Sequence, residues 1–204
     1  MYKNTIIFPV DDNERGEKMR ISSLLDCLEQ NPIIAAVSDD GFDAALSSPA
    51  KLIFYLSADL MTVKERIQKV HDADKYIFVH IDLAVGIGKD RTGIQYLAQC
   101  GVDVIISTRG QLIRFAKDQN LVTVQRFFAL DSKGMESIEE MLRNTSPNLM
   151  EIMPGVVGKV LSRFSRGTTP VIAGGLIQTK AEVLDALKNG ASAVSTGKEE
   201  LWYL

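Results

Sequence analysis

The stretch "PVIAGGLIQTKAEV" (170–183), continued by "GASAVSTGKEELW" (190–202), decides the fold. Each half is a short apolar run that leads into a turn of Gly or Ser/Thr and then into a helix-like segment. In the first half Val183, Leu184 and Leu187 repeat at helical separations, and Gly190 stands where that helix would stop. Two strand–turn–helix units in tandem raise one question about function, namely what their neighbouring turns hold.

Working outward, the same alternation fills residues 31–197. Apolar, β-branched runs recur at "IIAAV" (33–37), "LIFYL" (52–56), "YIFVHI" (76–81), "VDVIIS" (102–107), "VTVQRFFAL" (122–130), "LMEIM" (149–153), "PVIAG" (170–174) and "SAVST" (192–196). They are nearly continuous rather than alternating, which fits strands buried on both faces of a parallel sheet. Between them lie amphipathic segments with faces such as Val63, Ile67 and Val70, or Leu112, Ile113 and Ala116. Others pair Ile94 with Leu97 and Ala98, and Ile138 with Met141 and Leu142. Eight such units without a long insertion predict an α/β protein, a compact (β/α)8 barrel of the TIM type. The weakest unit is the short "SDDGFDAALSS" between the first two strands. Residues 1–30 form an N-terminal extension outside the repeat, where "RISSLLDCLEQN" reads as a helix able to plug the N-terminal end of the barrel. Residues 198–204 read as a short C-terminal helix, and residues 1–204 as a single domain.

Bulk properties narrow the class. With 204 residues, 46% apolar and 24% charged, the chain can bury a substantial core. A formal charge of −3 gives no global positive field, so a nucleic-acid partner needs a local basic patch. Cys27 and Cys100 have no CxxC spacing and read as reduced core thiols. The N-terminal "MYKNTIIFPVDDNERGEK" carries charges too early for a signal peptide. No apolar run approaches the roughly 18 residues of a membrane helix. The expectation is a cytoplasmic protein that makes no contact with a membrane.

In a (β/α)8 barrel function sits at the C-terminal strand ends, and phosphate commonly binds the loops after strands seven and eight. Gly174 and Gly175 let backbone approach an anion, Ser195 and Thr196 add hydroxyls, and Gly197 precedes a helix start near Lys198. These residues predict a phosphate site. Asp82 ends the third strand, shares a face with His80, and is a candidate for holding a hydroxyl or acting as a base. Arg109 ends the fourth strand and suits a phosphate or carboxylate. Glu151 is a buried carboxylate if it faces the barrel, and then requires a Lys or Arg partner. Gly86, Gly88 and Lys89 read as a mobile loop over the mouth, without the dinucleotide glycine pattern. Ser38, Asp39, Asp59, Thr108 and Asp131 are further polar strand ends. No His/Cys/Asp cluster has metal spacing and no nucleophile motif stands out, so neither a metal nor a cofactor nor a catalytic residue is expected.

The runs "FVHIDLAVGIGKDRTGIQYL", "VIISTRGQLIRFAK", "VQRFFALDS", "MEIMPGVVGKVL", "PVIAGGLIQTKAEV" and "GASAVSTGKEELW" together resemble the glycerol-3-phosphate-responsive antiterminators, regulators of glycerol uptake operons. The likeness covers about residues 10–203. It implies a non-enzymatic barrel that binds glycerol 3-phosphate as effector, its hydroxyls expected on Asp82 or Glu151, and then the leader of the operon's messenger RNA. A homo-oligomer is compatible with it. Gly158 and Gly197 depart from the residues expected at their positions. For RNA, Lys159, Arg163 and Arg166 share one face of the sixth helix, and Arg126 with Arg114 and Lys117 forms a second basic area. The competing reading is a phosphate-handling barrel enzyme, an isomerase or aldolase, with Asp82 or Glu151 as acid/base.

Overall fold

The computed structural model describes residues 20–204. The reading of the first residues as lacking a signal peptide, and most of the N-terminal extension, lie outside them. Strands β1 (Ile33–Val37), β2 (Leu52–Tyr55), β3 (Tyr76–His80), β4 (Val104–Ser107), β5 (Val122–Phe128), β6 (Leu149–Met153), β7 (Val171–Gly174) and β8 (Ala193–Thr196) form a closed barrel. Every neighbouring pair is parallel, and β8 closes onto β1 with Ser195 beside Ile34.

Helix α1 (Ile21–Gln30) precedes the barrel. The others follow strands in turn: α2 (Phe42–Ser47), α3 (Val63–Asp72), α4 (Arg91–Gln99), α5 (Gly110–Asp118), α6 (Ser132–Thr145), α7 (Gly158–Phe164) and α8 (Lys180–Lys188). The short unit after β1 is a 3₁₀ turn (Asp39–Gly41) running into the six-residue α2. The final strand is followed by a five-residue 3₁₀ helix, Glu199–Tyr203, in place of an α-helix.

Alternate strand residues serve two cores. Ile34, Phe54, Phe78, Ile106, Val124 and Ile172 fill the barrel interior, and Leu24 and Leu28 of α1 pack into that same cluster. Helix α1 is therefore the plug its sequence suggests. Residues of the other parity, such as Ile53, Val79 and Ile105, meet the surrounding helices. Burial on both faces is why the strands read as unbroken apolar runs. Helix α8 differs from its sequence reading. Val183 and Ala186 are buried and Leu187 packs against the core, whereas Leu184 is 57% exposed. Gly101 and Gly190 adopt the left-handed conformation at their helix ends. Cys27 and Cys100 are free and half-buried, and burial pushes both thiols up.

Candidate functional site

Continuing the interior parity toward the C-terminal strand ends places polar groups above the apolar layers. His80 follows Phe78, Arg126 follows Val124, Glu151 follows Leu149, and Ser195 follows Ala193. Arg126 and Glu151 are register partners across β5 and β6. The Arg126 Nε donates to Glu151 Oε2 at 2.5 Å, with the two side chains 10% and 1% exposed. The Ser195 hydroxyl donates to the other oxygen, Oε1, at 2.6 Å. The buried carboxylate thus has the cation that low-dielectric burial demands.

This chain lines a cavity of about 220 Å³ at the barrel mouth, with Gly175, Leu176, Ile177, Thr196 and Gly197 on its loop side. Glu151, Gly175, Ser195, Thr196 and Gly197 are therefore brought together as the sequence suggests. Ala36, Leu56 and Met153 complete the wall. Gly174 lies beside it, at the end of β7. A Cβ there would stand 2.3 Å from Glu151 Oε1, so the missing side chain makes room for the carboxylate. Gly175 has φ +75° and Leu176, its neighbour, φ +63°.

Two loop features differ from expectation. The Thr196 hydroxyl is occupied, donating to Ile177 O at 2.8 Å and accepting from Lys198 N. Trp202 Nε1 donates to Thr196 O at 2.8 Å, so the terminal "LW" clamps the β8 turn from outside. The 3₁₀ segment beyond is short and opens with Glu199 and Glu200. It lacks the aligned turns from which a helix dipole is built, so backbone and side chains of the cavity carry any anion there.

Asp82 is not a strand residue. β3 ends at His80, and Asp82 sits in the 3₁₀ turn Ile81–Leu83. Its carboxylate accepts from Ser107 Oγ, Thr108 N and Thr108 Oγ1 at 2.7–2.9 Å, and Arg109 Nε lies 3.6 Å away. Asp82 is the anchor of the β4–α5 turn, and neither it nor Arg109 lines the cavity. His80 is 3% exposed and its Nδ1 has no partner. Burial first, then the Arg126 charge, pushes its pKa down to about 4, so the ring is neutral.

The glycine loop after β3 is tied down. Lys89 Nζ donates to Ala84 O and Ile87 O, and Asp90 caps α4 by accepting from Gly93 N. Other strand-end acids are also structural. Asp131 caps α6, Asp59 accepts from Met61 N, and Asp39 accepts from Tyr55 OH at 2.7 Å.

Arg126 was expected among surface cations and stands inside the barrel instead, because β5 alternates and Val122, Val124 and Arg126 share the interior parity. Its proposed neighbour Lys117 donates to Thr145 O and Ser146 O at the end of α6. Lys159, Arg163 and Arg166 are all exposed. Only the first two lie on α7, and Arg166 follows it in a turn. Arg163 is ion-paired to Glu139 at 2.8 Å and borders a cleft of about 620 Å³ with Arg143. Gly158 has a local reason: a Cβ there would stand 2.6 Å from Asn189 Nδ2. Among the described residues no group of three or more His, Cys, Asp or Glu is placed to hold a metal, and no helix is long and apolar enough to cross a membrane.

The model of the family described as glycerol-3-phosphate responsive antiterminator matches residues 33–202. The chain is 33% identical to the protein YgcP of Escherichia coli K12, described as uncharacterized, over 89% of this chain and 96% of that one. It superposes on the glycerol uptake operon antiterminator regulatory protein of Listeria monocytogenes with TM-score 0.80 and 28% identity, covering 84% of this chain and 95% of that one. A glycerol uptake operon antiterminator-related protein of Thermotoga maritima gives TM-score 0.76 and 32% identity, with 83% and 96% covered. The matched region spans β1 through the Trp202 clamp, and so includes the Arg126–Glu151 cavity and both of its loops: the chain belongs to the glycerol-3-phosphate responsive antiterminator family.

Proposed function

We propose that this protein is a cytoplasmic, single-domain sensor that binds glycerol 3-phosphate in the mouth cavity and, when loaded, binds the leader mRNA of a glycerol-utilisation operon. The observation that carries the reading is the cavity itself. It is small, bordered by the β7 and β8 turns, and backed by a buried Arg126–Glu151–Ser195 chain. A compact polyol phosphate matches that combination of backbone loop and hydrogen-bonding floor. Family membership supplies the regulatory half. Turnover is not part of the proposal. The two acid/base candidates are engaged, Asp82 by Ser107 and Thr108 and Glu151 by Arg126 and Ser195, and no lysine lines the cavity. The RNA is assigned to the exposed Lys159, Arg163 and Arg166 beside the α6–α7 cleft.

The test is fluorescence anisotropy of a labelled leader RNA with and without glycerol 3-phosphate. The expected result is RNA binding at least about tenfold tighter with effector, a coupling of about 1.4 kcal/mol. Glutamine at Lys159, Arg163 and Arg166 should weaken RNA binding and flatten its salt dependence by up to about two units of slope. RNA affinity that ignores glycerol 3-phosphate would overturn the sensor reading, and an unchanged salt slope would move the RNA surface elsewhere.

A further inference from the structure

The cavity floor holds more hydrogen-bonding capacity than the protein itself uses. Arg126 commits its Nε to Glu151, and a guanidinium carries four further N–H donors on its two terminal nitrogens. Glu151 holds its two oxygens toward Arg126 and Ser195, and each oxygen can accept more than one bond. Both residues line the cavity. His80 rises from β3 on the same interior parity, within electrostatic reach of Arg126, with a buried nitrogen that has no partner. His80 does not itself line the cavity, but buried polar atoms are nearly always satisfied, so its unpartnered ring nitrogen is available for a bond formed in another state.

A second feature gives the floor its specificity. The Arg126–Glu151 pair is charge-neutral as a unit, so it offers a dianion little net attraction. It does offer alternating donors and acceptors at hydrogen-bond spacing, which suits adjacent hydroxyls that each donate and accept. The anionic end of a ligand is then left to the loops after β7 and β8.

We infer that Arg126 and Glu151 act together as a reader of vicinal hydroxyls, with His80 as the spare acceptor that keeps Arg126 bonded when a ligand hydroxyl takes its place on Glu151. The inference rests on the cavity being the effector site. The ligand class is a small phosphate monoester with two neighbouring hydroxyls. Arg126 and Glu151 touch it, and His80 is a positioning residue that acts through Arg126. Discrimination arises because a ligand without hydroxyls leaves the floor's donors and acceptors as they were, and gains nothing from them.

Isothermal titration of the full-length protein with glycerol 3-phosphate, ethyl phosphate and inorganic phosphate tests this. Removing Arg126 alone leaves Glu151 buried and unpaired, so the principal variant is the charge-neutral double substitution Arg126→Met with Glu151→Leu. Glycerol 3-phosphate should lose at least about thirtyfold in affinity and fall to the level of ethyl phosphate, whose own affinity stays within about threefold. A parallel loss for all three ligands would make Arg126 the phosphate anchor and overturn the inference, as would undiminished glycerol 3-phosphate binding. His80→Phe should cost about tenfold for glycerol 3-phosphate only, without lowering Tm, because the buried ring nitrogen it removes, Nδ1, has no partner in the unliganded protein. A lowered Tm with unchanged affinity would remove His80 from the reader. If erythritol 4-phosphate, titrated alongside, binds the wild type where glycerol 3-phosphate does not, and the double variant loses it, the diol reader stands and the effector assignment fails. If the wild type binds no polyol phosphate, both fail.

Discussion

His80 ties the site to folding through its proton. Burial and the nearby Arg126 charge hold its pKa at about 4 against an ordinary 6.5. Between those values the unfolded chain takes up a proton that the folded protein refuses. The stabilising effect of this difference is complete above pH 6.5 and is lost as pH falls toward 4. The gap between those values corresponds to on the order of 3 kcal/mol. Urea melts from pH 7 to pH 4 should therefore show His80→Phe losing less stability than wild type by about that amount, and coincident acid limbs would show that the ring is charged in the fold. Residue identity was legible in sequence where parity was followed through. Glu151 was expected to need a cation, and the cation is its register partner on β5. Arg126 groups by charge with Arg114 and Lys117, but the alternation of Val122 and Val124 turns it inward. Asp82 looked like a site acid because a strand-end carboxylate has no visible partner in one dimension. Its partners, Ser107 and Thr108, come from the next strand and loop.

The elements show where periodicity suffices and where it does not. Faces such as Val63, Ile67 and Val70 are buried as read, because each helix lies on a sheet that presents only one side to it. Helix α8 departs by one position, with Ala186 inward and Leu184 outward, since apolarity alone does not fix how a helix rolls on its support. The shortest unit holds through a side chain from another element. Lys75, 6% exposed at the start of β3, donates to Ala45 O and Ala50 O at 2.8–2.9 Å and also to Ser48 O. It thereby supplies the donor for the Ser48 and Ala50 carbonyls in the link to β2, and adds a further bond to Ala45 O, which also accepts from Ser48 N and Ser48 Oγ. Lys75→Met keeps the aliphatic stem and removes the donors. It should destabilise the protein by about 3 kcal/mol in urea denaturation, from buried carbonyls left without partners. A loss below about 0.5 kcal/mol, the range of ordinary surface substitutions, would mean that water reaches those carbonyls.

At the scale of the molecule, the barrel holds the apolar α1 plug at one end and the polar cavity at the other. Leu24 and Leu28 of α1 close the interior apolar cluster, while the Arg126–Glu151 cavity opens at the C-terminal strand ends. Between them lie packed layers that include Phe54, Phe78 and Val124, so the two ends share a core and no polar groups. The sequence carries this division openly. The extension before the first repeat has a helical apolar stripe, and a stripe outside the repeat needs a surface to cover. Leu24 is fully buried in that role. Leu24→Ala should leave a cavity at the plugged end and cost about 3 kcal/mol. For a chain of this length that corresponds to a Tm lower by roughly 10 °C. Affinity for glycerol 3-phosphate, measured well below the lowered Tm, should remain within about twofold of wild type, because distant sites without shared partners act nearly independently. A Tm loss accompanied by a tenfold drop in affinity would show that the plug and the mouth are one cooperative unit, with the interior layers transmitting strain from α1 to the cavity floor.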